Sequence, residues 1–150
     1  VARPLTKEQL EQTMQQFVTA CKRAGLKVTH QRTEIYRHLL QEPDHPSAEI
    51  LHKRLLPSLP SISLDTVYRT LTTLEQHGLV SRIQTAESQA RFEAVYAPHH
   101  HLICSRCKRV VDFQWPAIDR LDLPADVSTW GRIDSRTIVV CGICTHCAGH

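Results

Sequence analysis

The sequence predicts an α+β fold in two parts: helices closed by a β-hairpin, then a smaller strand-rich part fastened by a structural zinc. Three observations predict it. Apolar residues recur at helical spacing as far as Leu74, and two short alternating runs follow between Leu79 and Tyr96. Beyond residue 98 lie five of the six cysteines and five of the ten histidines.

A chain of 150 residues suits one ordinary domain or two small ones. No run approaches the roughly 18 consecutive apolar residues of a membrane span. The first 30 residues show no apolar stretch ending in a small-residue cleavage site, so a cytoplasmic location is expected. The 18 Lys and Arg against 15 Asp and Glu leave a net charge of only +3. Up to residue 94 there are 12 basic and 10 acidic residues, and beyond it 6 and 5, so neither part is a polybasic tail. Charge alone names no nucleic-acid partner.

The first helix starts at Thr6, where TKEQ offers a capping box, and carries Leu10, Met14, Phe17, Val18 and Cys21 on one stripe before Gly25. Cys21 is expected to pack in the core. The second runs from Thr29 to Gln41 with Ile35, Leu39 and Leu40 inward, ending before the turn EPDHP. Ser47 caps a third, with Ile50, Leu51 and Leu55 inside, and Pro57 and Pro60 break the chain after it. The fourth begins near Ser63 and turns Val67, Leu71 and Leu74 inward, leaving Tyr68, Arg69, Thr70, Thr72 and Thr73 outward. LVSRIQ and ARFEAVY then form a hairpin joined by TAESQ.

Helices followed by a hairpin are what a winged helix-turn-helix requires, and an outward Arg or Tyr could read base edges in a major groove. The same residues also suit a solvated helix face.

Residues 99 to 150 are too few to secure a good core without a metal, a disulfide or a partner chain. Strands are expected at HHHLIC, RVVDF and TIVVC, with PAIDRL as a short helix. Cys104-x2-Cys107 and Cys144-x2-Cys147 supply four thiolates in two knuckles, the arrangement of a tetrahedral structural zinc. Cys141 makes its own C-x2-C with Cys144, but the thiols flanking the final turn make the better pair. The alternative, a disulfide framework, belongs to oxidising compartments.

In the His triplet, His99 and His101 point to one strand face, and His100 with Cys104 to the other. If residues 105 and 106 form the turn, His101 pairs with Val110 and His99 with Asp112. Imidazole and carboxylate suit Zn, Fe, Mn, Co or Ni, although a His triplet can also be surface decoration. His45, in the turn DHP, and Glu93, at the end of the hairpin, are further candidates, although a lone loop histidine is usually solvated.

Taken together, LKVTHQR, DHPSAEIL, SISLDTVYRTLTTLEQHGLV, ARFE, HHHLICSRC and GICTHC resemble the ferric-uptake-regulator superfamily of bacterial metal-dependent repressors along nearly the whole chain. The resemblance implies a winged-helix DNA-binding domain over 1–94, a hinge over 95–98 and a zinc-stabilised α/β dimerisation domain over 99–150. It also implies a cytoplasmic homodimer that binds an inverted-repeat operator on double-stranded DNA when metal-loaded, with no membrane or small-molecule substrate. It assigns one structural Zn2+ per chain to Cys104, Cys107, Cys144 and Cys147. The regulatory metal, Fe2+ or Mn2+ with Zn2+ as the other choice, falls to His45, Glu93, His99, His101 and Asp112. Tyr68 and Arg69 map to base-reading positions, and Lys27 and Arg32 to basic positions near the groove or backbone.

Several members have a third metal site with histidines where this chain has Pro98 and Thr137. That leaves His100 and Asp119, so no complete third site is expected. Lys108 replaces the family's usual Gly, which predicts an altered turn rather than an altered zinc site. Glu93 resembles the iron-sensing branch, whereas Asp112 and the missing third site resemble the peroxide-sensing one. Zinc-uptake regulators often place a Cys in the sensory site, and none falls there. The rival classes are a zinc hydrolase or deaminase, which would use the metal to activate water, and a metal-storage protein. The deaminase H-x-E signature is absent.

Overall fold

A computed structural model describes residues 4–84, 89–95 and 97–149. Most of the TAESQ link, Tyr96 of the expected hinge and His150 lie outside them. The chain divides into two compact units, Arg3–Tyr96 and Ala97–His150. Among the described residues no helix is long and apolar enough to cross a membrane.

The first unit opens with α1 (Lys7–Arg23), whose capping box between Thr6 and Gln9 forms as expected. Gly25 follows it at φ +72°, a backbone conformation that costs glycine nothing. Helix α2 (His30–Gln41) is capped by Thr29, α3 (Ala48–Leu55) by Ser47 and α4 (Leu64–Gln76) by Ser63. In each the cap hydroxyl accepts from the third helical amide, satisfying a donor that the helix itself leaves unpaired. Strands β1 (Val80–Ile83) and β2 (Arg91–Ala94) pair antiparallel, with Val80 opposite Ala94 and Ile83 opposite Arg91.

Met14, Phe17 and Cys21 of α1 meet Ile35, Leu39 and Leu40 of α2, Leu51 and Leu55 of α3, and Val67, Leu71 and Leu74 of α4 in one buried cluster. Cys21 is fully buried there, as its place on the apolar stripe predicts. Tyr36 joins the cluster and stacks on Phe17, with ring centroids 4.1 Å apart. Two expectations need correction. Ile50 is 45 % exposed, because Ala48, Leu51 and Leu55 define the inward stripe of α3 and Ile50 stands about 100° away from it. Thr70 is buried rather than outward, since it lies one turn from Val67 and beside Leu71 and Leu74 on the same face.

The loop from α2 to α3 is stitched to the hairpin through the main chain. Phe92 N–H donates to the Pro46 carbonyl at 3.0 Å, and Ser47 forms an isolated β-bridge with Arg91. Arg54 on α3 holds the same loop by a bidentate pair with Asp44, at 2.9 and 2.6 Å.

In the second unit β3 (His100–Cys104) lies between β4 (Val110–Phe113), antiparallel to it, and β5 (Val139–Gly142), parallel to it. Short helices α5 (Pro116–Asp119) and α6 (Ala125–Ser128) occupy the crossover, and α7 (Thr145–Ala148) ends the chain. The hairpin register differs from the expected one. His101 faces Asp112, and Ile103 faces Val110. The turn spans Ser105 to Arg109 and closes with Cys104 N–H on the Arg109 carbonyl at 3.0 Å, because the knuckle between Cys104 and Cys107 takes more residues than a tight two-residue turn. The shift is by two positions, so every side chain keeps its expected face. Lys108 sits at φ +62°, so the turn retains a left-handed position of the kind glycine favours, and lysine holds it.

The Asp44–Arg54 pair generates a pH-dependent expectation. Its side chains are 51 % and 33 % exposed, so solvent screening limits its contribution to below about 1 kcal/mol. The Arg54 hydrogen bonds hold the Asp44 carboxyl below its usual range. A depressed folded pKa stabilises above the unfolded value, near about 3.9, and that stability is lost as pH falls through the folded value. Urea denaturation should therefore find Arg54→Ala slightly less stable than wild type at pH 6, with the difference shrinking under acid. A gap that widens on acidification would contradict this account.

Candidate metal centres and recognition helix

The four cysteines of the two knuckles converge. One sulfur from each of Cys104, Cys107, Cys144 and Cys147 lies within 4.8 Å of every other. Cys104 ends β3 and Cys107 lies in the turn after it, while Cys144 caps α7 and Cys147 lies within it, so parallel pairing of β5 with β3 is what superposes the knuckles. Cys141 lies on β5, exposed, outside this group, and none of the six cysteines is in a disulfide.

The arrangement fits a tetrahedral zinc. Sulfurs about 2.3 Å from such an ion stand about 3.8 Å from one another, and the Cys107 and Cys144 sulfurs are 3.8 Å apart. Backbone amides already favour anionic sulfur. The Cys144 N–H donates to Cys104 Sγ at 3.4 Å. With the amides of Cys107 and Arg106 it holds the Cys104 thiol down to about 5. Cys147 moves the opposite way, up to about 12, because of its hydrogen bond with Cys144, its burial and the neighbouring Cys104 charge. Four thiolates cannot crowd together uncompensated, and a divalent cation removes that opposition.

Histidine and carboxylate come together separately within each unit. In the first, the stitch between Pro46 and Phe92 brings the neighbours of those residues side by side, with His45 Nε2 and Glu93 Oε2 2.9 Å apart. His45 holds φ +55°, a costly conformation for a residue with a Cβ. In the second unit, His101 Nε2 lies 3.5 Å and His99 Nε2 4.0 Å from the same Asp112 oxygen. The two imidazoles meet edge to face at 5.1 Å between centroids. His99 Nδ1 is 2.8 Å from the Ala97 carbonyl, so that nitrogen carries the proton and Nε2 keeps its lone pair on the Asp112 side. The expected partnership of Asp112 with His99 thus extends to His101, which the two-residue register shift places directly across the hairpin.

His100, on the opposite strand face, is fully buried and engaged at both nitrogens. Nδ1 accepts from Ile138 N–H at 3.0 Å, so Nε2 bears the proton and donates to Asp119 Oδ1 at 2.9 Å. This pair ties α5 and the approach to β5 onto β3. The Ile138 amide was not legible in the sequence, because a main-chain donor leaves no residue signal.

On α4, Tyr68 and Arg69 are exposed neighbours. Arg69 pairs with Asp65 one turn earlier at 2.9 Å, with its side chain 81 % exposed. The Tyr68 hydroxyl donates to Glu49 Oε1 at 2.6 Å. Sequence reasoning did not connect Glu49 with Tyr68, since only the packing of α3 on α4 joins positions 19 apart. Lys27 is exposed between α1 and α2, and Arg32 Nη1 donates to its carbonyl at 2.8 Å.

The model of the Ferric uptake regulator family matches residues 23–128. The peroxide-responsive repressor PerR of Staphylococcus aureus is 29 % identical over 140 residues, covering 93 % of this chain and 95 % of that protein. Among solved structures, the ferric uptake regulator Fur of Helicobacter pylori, described with three functional metal-binding sites, gives a TM-score of 0.73 at 26 % identity over 99 % of this chain and 97 % of its own. The manganese-containing ferric uptake regulator of Pseudomonas aeruginosa gives 0.69 at 28 % identity, over 85 % and 96 %. The chain belongs to the ferric uptake regulator family, whose members are metal-responsive transcription regulators and not enzymes.

Proposed function

We propose that this protein is a metal-dependent repressor that binds an inverted-repeat operator as a cytoplasmic homodimer and controls iron homeostasis or the peroxide-stress response. The observation that carries the reading is the pairing of histidine with carboxylate in each unit, His45 with Glu93 and His101 with Asp112. Neither pair alone satisfies a transition metal; together with His99 they supply a nitrogen and oxygen set suited to ferrous iron, manganese or zinc.

In this reading His45 and Glu93 ligate from the winged-helix domain, and His99, His101 and Asp112 from the dimerisation domain. The bound cation supplies the charge that draws both carboxylates to a single point. Sharing it restricts the segment around residues 95–98 and favours an arrangement in which two protomers space their α4 helices for successive major grooves, about 34–36 Å apart. Metal and operator then strengthen each other reciprocally, by typically about 1–3 kcal/mol. Cys104, Cys107, Cys144 and Cys147 hold the structural zinc. The homodimer is supported by apolar side chains on the second unit, where Leu102, Val139, Val140 and Ile143 are 40 to 51 % exposed.

A gel-shift on an inverted-repeat duplex, with Mn2+ or Fe2+, with chelator and after peroxide, tests the whole reading. Retardation should require metal, and loss of retardation after peroxide on Fe2+ but not Mn2+ assigns the peroxide response. His45→Ala and Glu93→Ala should each weaken metal-dependent retardation without unfolding the protein. Metal activation retained in both variants would defeat the shared site. Arg69→Ala should reduce discrimination between operator and random DNA by about 1–3 kcal/mol, with metal affinity within a few-fold of wild type.

The thiol site has its own test. Cys104→Ser or Cys144→Ser should lose zinc, with monomeric sedimentation and a reduced β-sheet signal in far-ultraviolet circular dichroism. Native dichroism and dimeric sedimentation in a zinc-free variant would refute the structural role.

A further inference from the structure

We propose that Glu49 is a positioning residue for Tyr68, and that by accepting the phenolic hydrogen bond it presents the Tyr68 oxygen to DNA as a hydrogen-bond acceptor, selecting an amino-bearing base over a keto base. This rests on the DNA-binding reading above and adds a specificity-determining residue to it.

The contact is short. At 2.6 Å the Tyr68–Glu49 bond lies in the range of a hydroxyl donating to an ionised carboxylate. Its two ends come from different helices. Glu49 is in the first turn of α3, half-buried, where the helix N-terminus favours negative charge. The Tyr68 hydroxyl holds the Glu49 carboxyl below its usual range, and the same bond raises the Tyr68 phenol above its own. Both shifts keep the proton on tyrosine and the charge on glutamate.

A phenol has one proton to donate. With that proton committed to Glu49, the oxygen retains lone pairs and nothing to give. In the major groove adenine N6 and cytosine N4 carry amino protons, whereas guanine O6 and thymine O4 are acceptors at the corresponding edge positions. An acceptor-only oxygen pairs with the former and is left opposed, acceptor against acceptor, by the latter. A free tyrosine could rotate its hydroxyl and satisfy either. Glu49 thus converts an ambivalent group into a reader of one polarity without touching DNA, and Tyr68, 38 % exposed on α4, is the group that it aims.

The test is selection from a pool of random-sequence duplexes by the full-length, Mn2+-loaded protein. Wild type, Glu49→Ala, Tyr68→Phe and the double variant are compared. Wild type should select adenine or cytosine at one position in each half of the recovered repeat, by roughly five- to tenfold over the keto bases. Tyr68→Phe, which keeps the ring, should lose that preference and leave the other positions unchanged. Glu49→Ala should lose it to the same extent, and the double variant should lose no more than either alone, since one residue acts through the other. Preference retained in Glu49→Ala but lost in Tyr68→Phe overturns the positioning role, and preference retained in both overturns the contact. Recovery of no duplex by wild type overturns the DNA-binding reading itself, which separates that failure from this one.

Discussion

Everything in the second unit depends on four sulfurs meeting. Its described residues bury few apolar side chains, Cys104 and Val110 being the buried ones, whereas the helices of the first unit close around a continuous core. A three-stranded sheet with that little hydrophobic burial lacks a sufficient driving force of its own. In the proposed reading a zinc held by the converged knuckles would replace it, tying the β3–β4 turn to the turn before α7. The buried His100, bonded to Asp119 and to the Ile138 amide, fastens the other end of the same strand. The sheet is thus pinned at both ends of β3 by polar and sulfur contacts, which have directions and so fix register where packing would leave it loose. That register sets Asp112 opposite His101.

The first unit reaches an equivalent result differently. There the core fixes the helices, capped hydroxyls fix their starts, and main-chain hydrogen bonds fasten the α2–α3 loop to β2. Beside that fastening His45 stands at φ +55°, although the Pro46 that follows it favours extended backbone at this position. An unfavourable backbone conformation placed beside Glu93 persists because the surroundings over-determine it, as at many ligand sites.

Much of this was legible in the sequence. All four helices, the Thr6 and Ser47 caps, the inward Val67–Leu71–Leu74 stripe and the hairpin follow from period and turn chemistry. Cys104, Cys107, Cys144 and Cys147 were legible as a group because knuckle spacing is a local constraint. What failed was what depends on neighbours. Ile50, expected inward, and Thr70, expected outward, were both reversed, because the buried stripe of each helix is set by the neighbours it packs against and not by apolar character alone. Counting back from a two-residue turn missed the β3–β4 register, because the knuckle sets the loop length and a sequence does not show how many residues it consumes. The pairs Glu49–Tyr68 and Asp44–Arg54 had no sequence signal at all, since each joins residues that only helix packing or loop closure brings together.

The balance of charge bears on how the proposed DNA-binding reading would work. Up to residue 94 the chain carries 12 basic and 10 acidic residues, and three of the proposed DNA-contacting side chains have intramolecular partners: Arg69 with Asp65, Tyr68 with Glu49, Arg32 with the Lys27 carbonyl. Sequence-independent attraction to DNA grows with the number of phosphates neutralised. In the proposed reading a winged helix of nearly balanced charge would therefore gain less from the phosphate backbone than a strongly basic one, and more of the affinity would come from two protomers engaging the duplex together in the correct spacing. Geometry would then be the controlling variable, and a small coupling free energy from the metal would be enough to change occupancy.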